Sequence, residues 1–117
     1  MRYDPVKEAA MVTITYYRKQ HRLTCLGHAA AGPCGKDLIC AAVSALVLTL
    51  AENVTQMAAA GQVSRPVLQL REGDCCIGCR PKGRLAPAVA LTFDTVCSGF
   101  QLLEKLYPRH VKFIAKL

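Results

Sequence analysis

The chain has 117 residues, 52% of them apolar and 20% charged, with fifteen Lys and Arg against eight Asp and Glu for a net charge of +7. That balance excludes a disordered chain, which needs low hydrophobicity and high net charge, and the length suits one domain around one two-layer core. The cationic excess fits two classes, a nucleic-acid footprint or a solvated basic surface, and it falls in short groups (Arg18, Lys19 and Arg22; Arg80, Lys82 and Arg84; Lys112 and Lys116) instead of one block.

The opening "MRYDPVKEAA" is polar, lacks the apolar segment of a secretory signal and shows no strand or helix period. Residues 1–10 are therefore expected to be a dispensable extension, and 11–117 a single domain. Seven cysteines without such a signal are expected to be reduced thiols of a cytoplasmic protein, and an odd count fits a disulfide framework poorly. "MVTITYY" at 11–17 alternates, Val12, Ile14 and Tyr16 on one face and Thr13, Thr15 and Tyr17 on the other, which predicts a strand. "RKQHR" at 18–22 reads as a polar turn and "LTCLGH" at 23–28 as the returning strand.

Gly32, Pro33 and Gly35 then break regular structure. Asp37 suits the N-cap of a helix over 38–60 that Gly61 can end. The uncharged run from Leu38 to Ala51 falls short of the roughly 20 apolar residues a bilayer requires, so it reads as a buried helix and no membrane is expected. It is apolar nearly all round, more than one sheet can cover, which predicts a homodimer. "RPVLQLRE" at 65–72 predicts a third strand with Leu68 and Leu70 inward and Gln69 and Arg71 outward. "EGD" at 72–74 is a hairpin turn and "CCIGCR" at 75–80 a fourth strand. A second helix follows Pro87, its apolar positions Val89, Phe93, Val96, Phe100, Leu103 and Tyr107 stepping by three or four until Pro108 stops it. "HVKFI" at 110–114 gives a short last strand. The expected fold is an α+β two-layer sandwich, an antiparallel sheet in ββαββα order with that terminal strand.

Cys40 falls in the first turn of the predicted helix, where unpaired amides and the positive end of the helix dipole favour thiolate over thiol and could receive an oxyanion. His28 stands across a short glycine-bearing loop, so the two are either a nucleophile and its base or a core cysteine beside a loop histidine; spacing leaves both open. Asp37 can cap the helix or orient His28. Ser44, one turn from Cys40 on the same face, can support the site or bond back to a helix carbonyl. The pair Cys76-x-x-Cys79 invites a metal or redox reading, but strand alternation sends Cys76 to the opposite face from Cys75 and Cys79, so no metal is expected. His21 is expected to be solvated in its basic turn, and His110 to lie at a strand edge.

"GHAAAGPCGKDLICAAVSAL" resembles the signature of the bacterial ribosomal-processing cysteine protease (Prp) family: Gly27, His28 and Ala29, a loop with Gly32 and Gly35, then Asp37, Cys40, Ala41, Ala42, Val43, Ser44 and Ala45. The likeness runs more loosely from Met11 to about Phe113. It departs in the residues preceding Met11, in Cys34 within the loop, and in the cysteines at 75, 76 and 79. The resemblance implies a small, typically dimeric domain that removes an N-terminal extension from a large-subunit ribosomal protein. Cys40 would be the nucleophile, His28 the base and Asp37 the motif's aspartate, with Gly27, Gly32 and Gly35 as loop hinges and no cofactor. Proximity to rRNA would suit the positive charge. The competing expectation is a non-enzymatic ribosome-assembly or RNA-associated factor whose Cys and His are structural.

Overall fold

A computed structural model describes residues 11–27 and 38–117. Strand β1 (Val12–Tyr17) turns through a short 3-10 segment, Arg18–Gln20, into β2 (Arg22–Leu26), as the alternation of Val12, Ile14 and Tyr16 predicts. Helix α1 (Leu38–Ala59) leads to β3 (Val63–Arg71), β4 (Asp74–Pro81), helix α2 (Ala86–Leu106) and β5 (Val111–Lys116). The sheet order is β3-β4-β2-β1-β5. The α+β sandwich is present, with one difference from a purely antiparallel sheet: β5 lies parallel to β1, Val12 opposite Val111 and Tyr17 opposite Lys116. Helix α2 brings the chain back to the start of β1 before β5 begins, and the Val12 N–H donates to the His110 carbonyl at 2.9 Å there. That return makes the last pairing parallel.

Helix α1 ends where Gly61 was expected to end it. Gly61 has φ +74, its N–H donates to Ala58 and the Gln62 N–H donates to Met57, so the last carbonyls are satisfied by a left-handed glycine cap. One charge, Glu52, does not interrupt the helix, so its apolar stretch is longer than the run to Ala51. By length and composition both α1 and the Gly83–Leu106 stretch could cross a bilayer; in this fold each lays a buried row on the sheet instead. The rows are Ile39, Val43, Val47, Leu50 and Val54 on α1, and Val89, Phe93, Val96 and Phe100 on α2. Tyr107, expected as the last apolar position of α2, follows the helix as its C-cap and is exposed.

Both rows meet the face formed by Val12, Ile14, Tyr16, Leu23 and Ile77, all buried. The Tyr16 and Phe93 rings stack at 5.6 Å between centroids, and burial, then the charge of Asp94, pushes the Tyr16 hydroxyl up to about 12. Where the helices approach each other, a Cβ at Gly99 would fall 2.8 Å from a Leu46 methyl, so glycine makes room for that side chain.

Strand β3 starts earlier than Arg65 and carries an irregularity between Ser64 and Val67. Pro66 cannot donate to a ladder, and an edge strand tolerates it. Leu68 and Leu70 pair in rows with Ile77 and Cys75, hence with Leu23 and Cys25 on the helix-facing side. The expectation that they lie inside is corrected by their exposure, 41% and 46%. They sit on the outermost strand, where α1 does not cover them.

Replacing Phe93 by Ala removes the ring stacked on Tyr16 and should lower the unfolding free energy by about 3–5 kcal/mol. Urea denaturation measures this, and a loss below about 1 kcal/mol would contradict the packing described.

Candidate active site

The row buried by α1 leaves Cys40, Ser44 and Leu48 one step round the helix, spaced by four residues and so on one face. That face forms one wall of a groove of about 340 Å³. Cys25, Cys75 and Leu70, directly paired across β2, β4 and β3, contribute to its floor. Arg71, Glu72 and Gly73 of the β3–β4 hairpin form the rim opposite Cys40, and Gly27 closes the end. The groove is mostly apolar with charge at its rim, a shape suited to a few side chains of an extended peptide.

Gly27 holds this end together. It has φ +94, and a Cβ there would be driven into the Met11 carbonyl. Its N–H donates to the Gly73 carbonyl at 2.9 Å, tying the end of β2 to the hairpin rim. Of the candidates from the sequence, Cys40, Ser44 and Gly27 thus border one groove. His28, Gly32, Cys34, Gly35 and Asp37 lie outside the described residues.

Cys40 is the third residue of α1 and half-buried. A thiol in the first turn lies near the positive end of the helix dipole. The other thiols of the sheet and of α2 are in different surroundings. Burial, and then the neighbouring Cys75 and Cys40, push the Cys25 thiol up to about 12. Burial and the charge of Asp94 do the same to Cys97. Burial also raises Cys75, whose Sγ–H donates to the Arg71 carbonyl, and Cys79. Strand alternation separates Cys76 from Cys75 and Cys79, as expected. Among the described residues, no three His, Cys, Asp or Glu side chains gather as a metal site would require.

Sequence reasoning did not find the far side of the groove. Leu70 and the hairpin residues meet Cys40 only through strand pairing. The available signal was Leu70, apolar and on the helix-facing side immediately before the turn.

A two-layer α+β domain with a helix-borne thiol opening onto an apolar groove is an architecture that suits thiol peptidase chemistry. Residues 11–112 match the family described as Cysteine protease Prp, and the chain belongs to that family. No curated protein matches the sequence. Among solved structures, the essential ribosomal processing protease Prp from S. aureus, in complex with a covalently linked product peptide, is similar at 22% identity and TM-score 0.69, over 92% of this chain and 99% of that one. The same protease with a substrate peptide gives a TM-score of 0.63 at 22% identity, over 92% of this chain and 99% of that one. SMU.848 from Streptococcus mutans gives 0.61 at 21% identity, over 92% of this chain and 93% of that one. At these identities the likeness establishes the fold.

The surroundings of the thiols predict an order of modification. At pH 7.5, iodoacetamide should alkylate Cys40, which borders the open groove, well before Cys25 and Cys97, which burial keeps protonated. Peptide mass spectrometry reads the order, and native-state labelling of Cys25 at the rate of Cys40 would contradict it.

Proposed function

We propose that this chain is a ribosomal-processing cysteine endopeptidase that removes an N-terminal extension from a large-subunit ribosomal protein, working in the cytoplasm as a homodimer and near rRNA. The observation that carries the reading is the family match over residues 11–112, and the placement of Cys40 on the groove supports it. The ribosomal substrate is carried over from the S. aureus protease, whose structures hold product and substrate peptides.

In this reading His28 takes the thiol proton and the Cys40 sulfur adds to the scissile carbonyl carbon. Amides at the start of α1 hold the resulting oxyanion. The tetrahedral intermediate collapses to a thioester as the C–N bond breaks, and His28 returns its proton to the leaving amine. Water, deprotonated by His28, then hydrolyses the thioester and restores the thiol. Asp37 orients His28 or caps α1, Ser44 supports the wall beside Cys40, and Gly32 and Gly35 let the intervening loop admit the peptide, with Gly27 as its anchored end. Leu48 and Leu70 offer apolar contact on either side of the groove.

Incubation with an N-terminally extended large-subunit ribosomal protein, followed by intact-mass measurement, tests the reaction. Cys40→Ser should reduce kcat/KM at least about 10³-fold with an unchanged melting curve, and His28→Ala about 10²–10⁴-fold. Asp37→Asn keeps the capping oxygen and removes the charge, so preserved activity marks a cap and a severe loss at unchanged stability marks a member of the site. Cleavage by Cys40→Ser at the wild-type rate would overturn the proposal. An uncleaved precursor combined with salt-dependent rRNA binding would favour an assembly factor instead.

The dimer has its own test. Leu38, at the start of α1, is 80% exposed and Leu48, on the groove wall, is 55% exposed, and a second copy packed along α1 beside the groove would cover part of both. Light scattering at micromolar concentration should give twice the chain mass, and a monomeric mass would refute the dimer.

A further inference from the structure

Of the basic groups that look dispersed along the chain, Arg18, Lys19, Arg22, Arg80, Lys82, Arg84 and Lys116 come together in the fold, at the end of the sheet remote from Cys40. Strand β1 ends there at Tyr17, which pairs with Arg22 of β2 and with Lys116 of β5. Strand β4 ends there too, and the Cys79 N–H donates to the His21 carbonyl at 3.2 Å. The turn carrying Arg18, Lys19 and Arg22 therefore lies beside the segment carrying Arg80, Lys82 and Arg84, and all six side chains are exposed. Between them is an open cup of about 560 Å³ lined by Lys19, Gln20, His21, Arg22 and Arg80, with no carboxylate among the described residues of its wall. Ala86, the first residue of α2, completes it, so the positive end of that helix dipole adds to the side-chain charge.

The described carboxylates are placed elsewhere. Glu72 and Asp74 stand at the opposite end by the β3–β4 hairpin, Glu104 accepts from the Phe113 N–H, and Glu52 on α1 accepts from the Gln56 side chain and does not line the cup. Asp94 on α2 shares the surroundings of Tyr16 with Arg18, but does not line the cup.

We propose that this cationic end is a docking site for the phosphate backbone of RNA. Arg and Lys on two adjoining segments can each take a phosphate oxygen, Arg in bidentate fashion. The half-buried Tyr17, with the Lys116 ammonium 5.8 Å from its ring centroid, and His21 at the cup add flat surfaces for a base. A lipid surface is the weaker match. Of the exposed leucines, Leu48 and Leu70 line the Cys40 groove, and among the described residues none lines the cup. Binding here leaves the groove at the other end open. The site takes up the ribosomal setting of the proposed function, but its test is separate from cleavage.

The probe is a fluorescein-labelled 20-nucleotide single-stranded RNA, followed by anisotropy across a salt series with the full-length protein. With three to five phosphates engaged, log K should fall against log salt with a slope of about −2 to −3.5. The triple variant Lys19→Glu, Arg22→Glu, Arg80→Glu should bind at least tenfold more weakly with a shallower slope. The control Lys105→Glu, Arg109→Glu, Lys112→Glu makes the same change in net charge at other positions and should keep binding within about threefold. Both variants should match the wild-type melting curve and the wild-type rate on a short peptide substrate. The proposal is overturned if the wild type does not bind RNA at 0.1 M salt or if the two triple variants weaken binding equally. It is likewise overturned if polyglutamate or phosphatidylglycerol vesicles compete as well as unlabelled RNA. If peptide cleavage is absent but the RNA results hold, the docking site stands and the peptidase reading falls.

Discussion

Burial of Ile39, Val43, Val47, Leu50 and Val54 against the sheet sets the rotation of α1 about its own axis. Since residues four apart share a face, that rotation directs Cys40, Ser44 and Leu48 into the groove. A shift of the buried row by one residue would turn the helix by about 100° and carry Cys40 away from the groove. The core of α1 is therefore also the positioning device for the thiol, and losses there would reach the site without touching it.

The sheet gives the two ends of the molecule opposite characters. At one end β2 and the β3–β4 hairpin are locked by the bond from Gly27 to Gly73, and the groove floor is made of apolar residues and protonated thiols. At the other, the turn after β1 and the segment after β4 bring cations together. The strands separate these regions by their own length, so a polyanion held at the basic end would not enter the groove. Under the proposed function, attraction to RNA would offset the repulsion between a chain of net charge +7 and a cationic substrate.

The elements were legible because their patterns are local. Alternation over 11–17 and the three-and-four stepping from Val89 to Phe100 correspond to β1 and α2, and Gly61 stands where α1 is capped. The parallel pairing of β5 with β1 was not legible, since it depends on where α2 returns the chain. The exposure of Leu68 and Leu70 was missed for a related reason: alternation reveals a side chain's face, while its cover depends on which strand lies at the edge.

By itself the sequence determined the α+β class, the capped helix that presents Cys40 in its first turn, and the motif residues of the family, because helix periods, caps and turns are set by neighbours within a few positions. Only the tertiary structure decided that Leu70 and the Arg71–Gly73 hairpin face Cys40, that Gly27 is bonded to Gly73, and that Arg22 and Arg80 share one cup. Those contacts join segments distant along the chain. They exist only once strand order and register have been chosen, and that choice is made by the whole core's demand for burial.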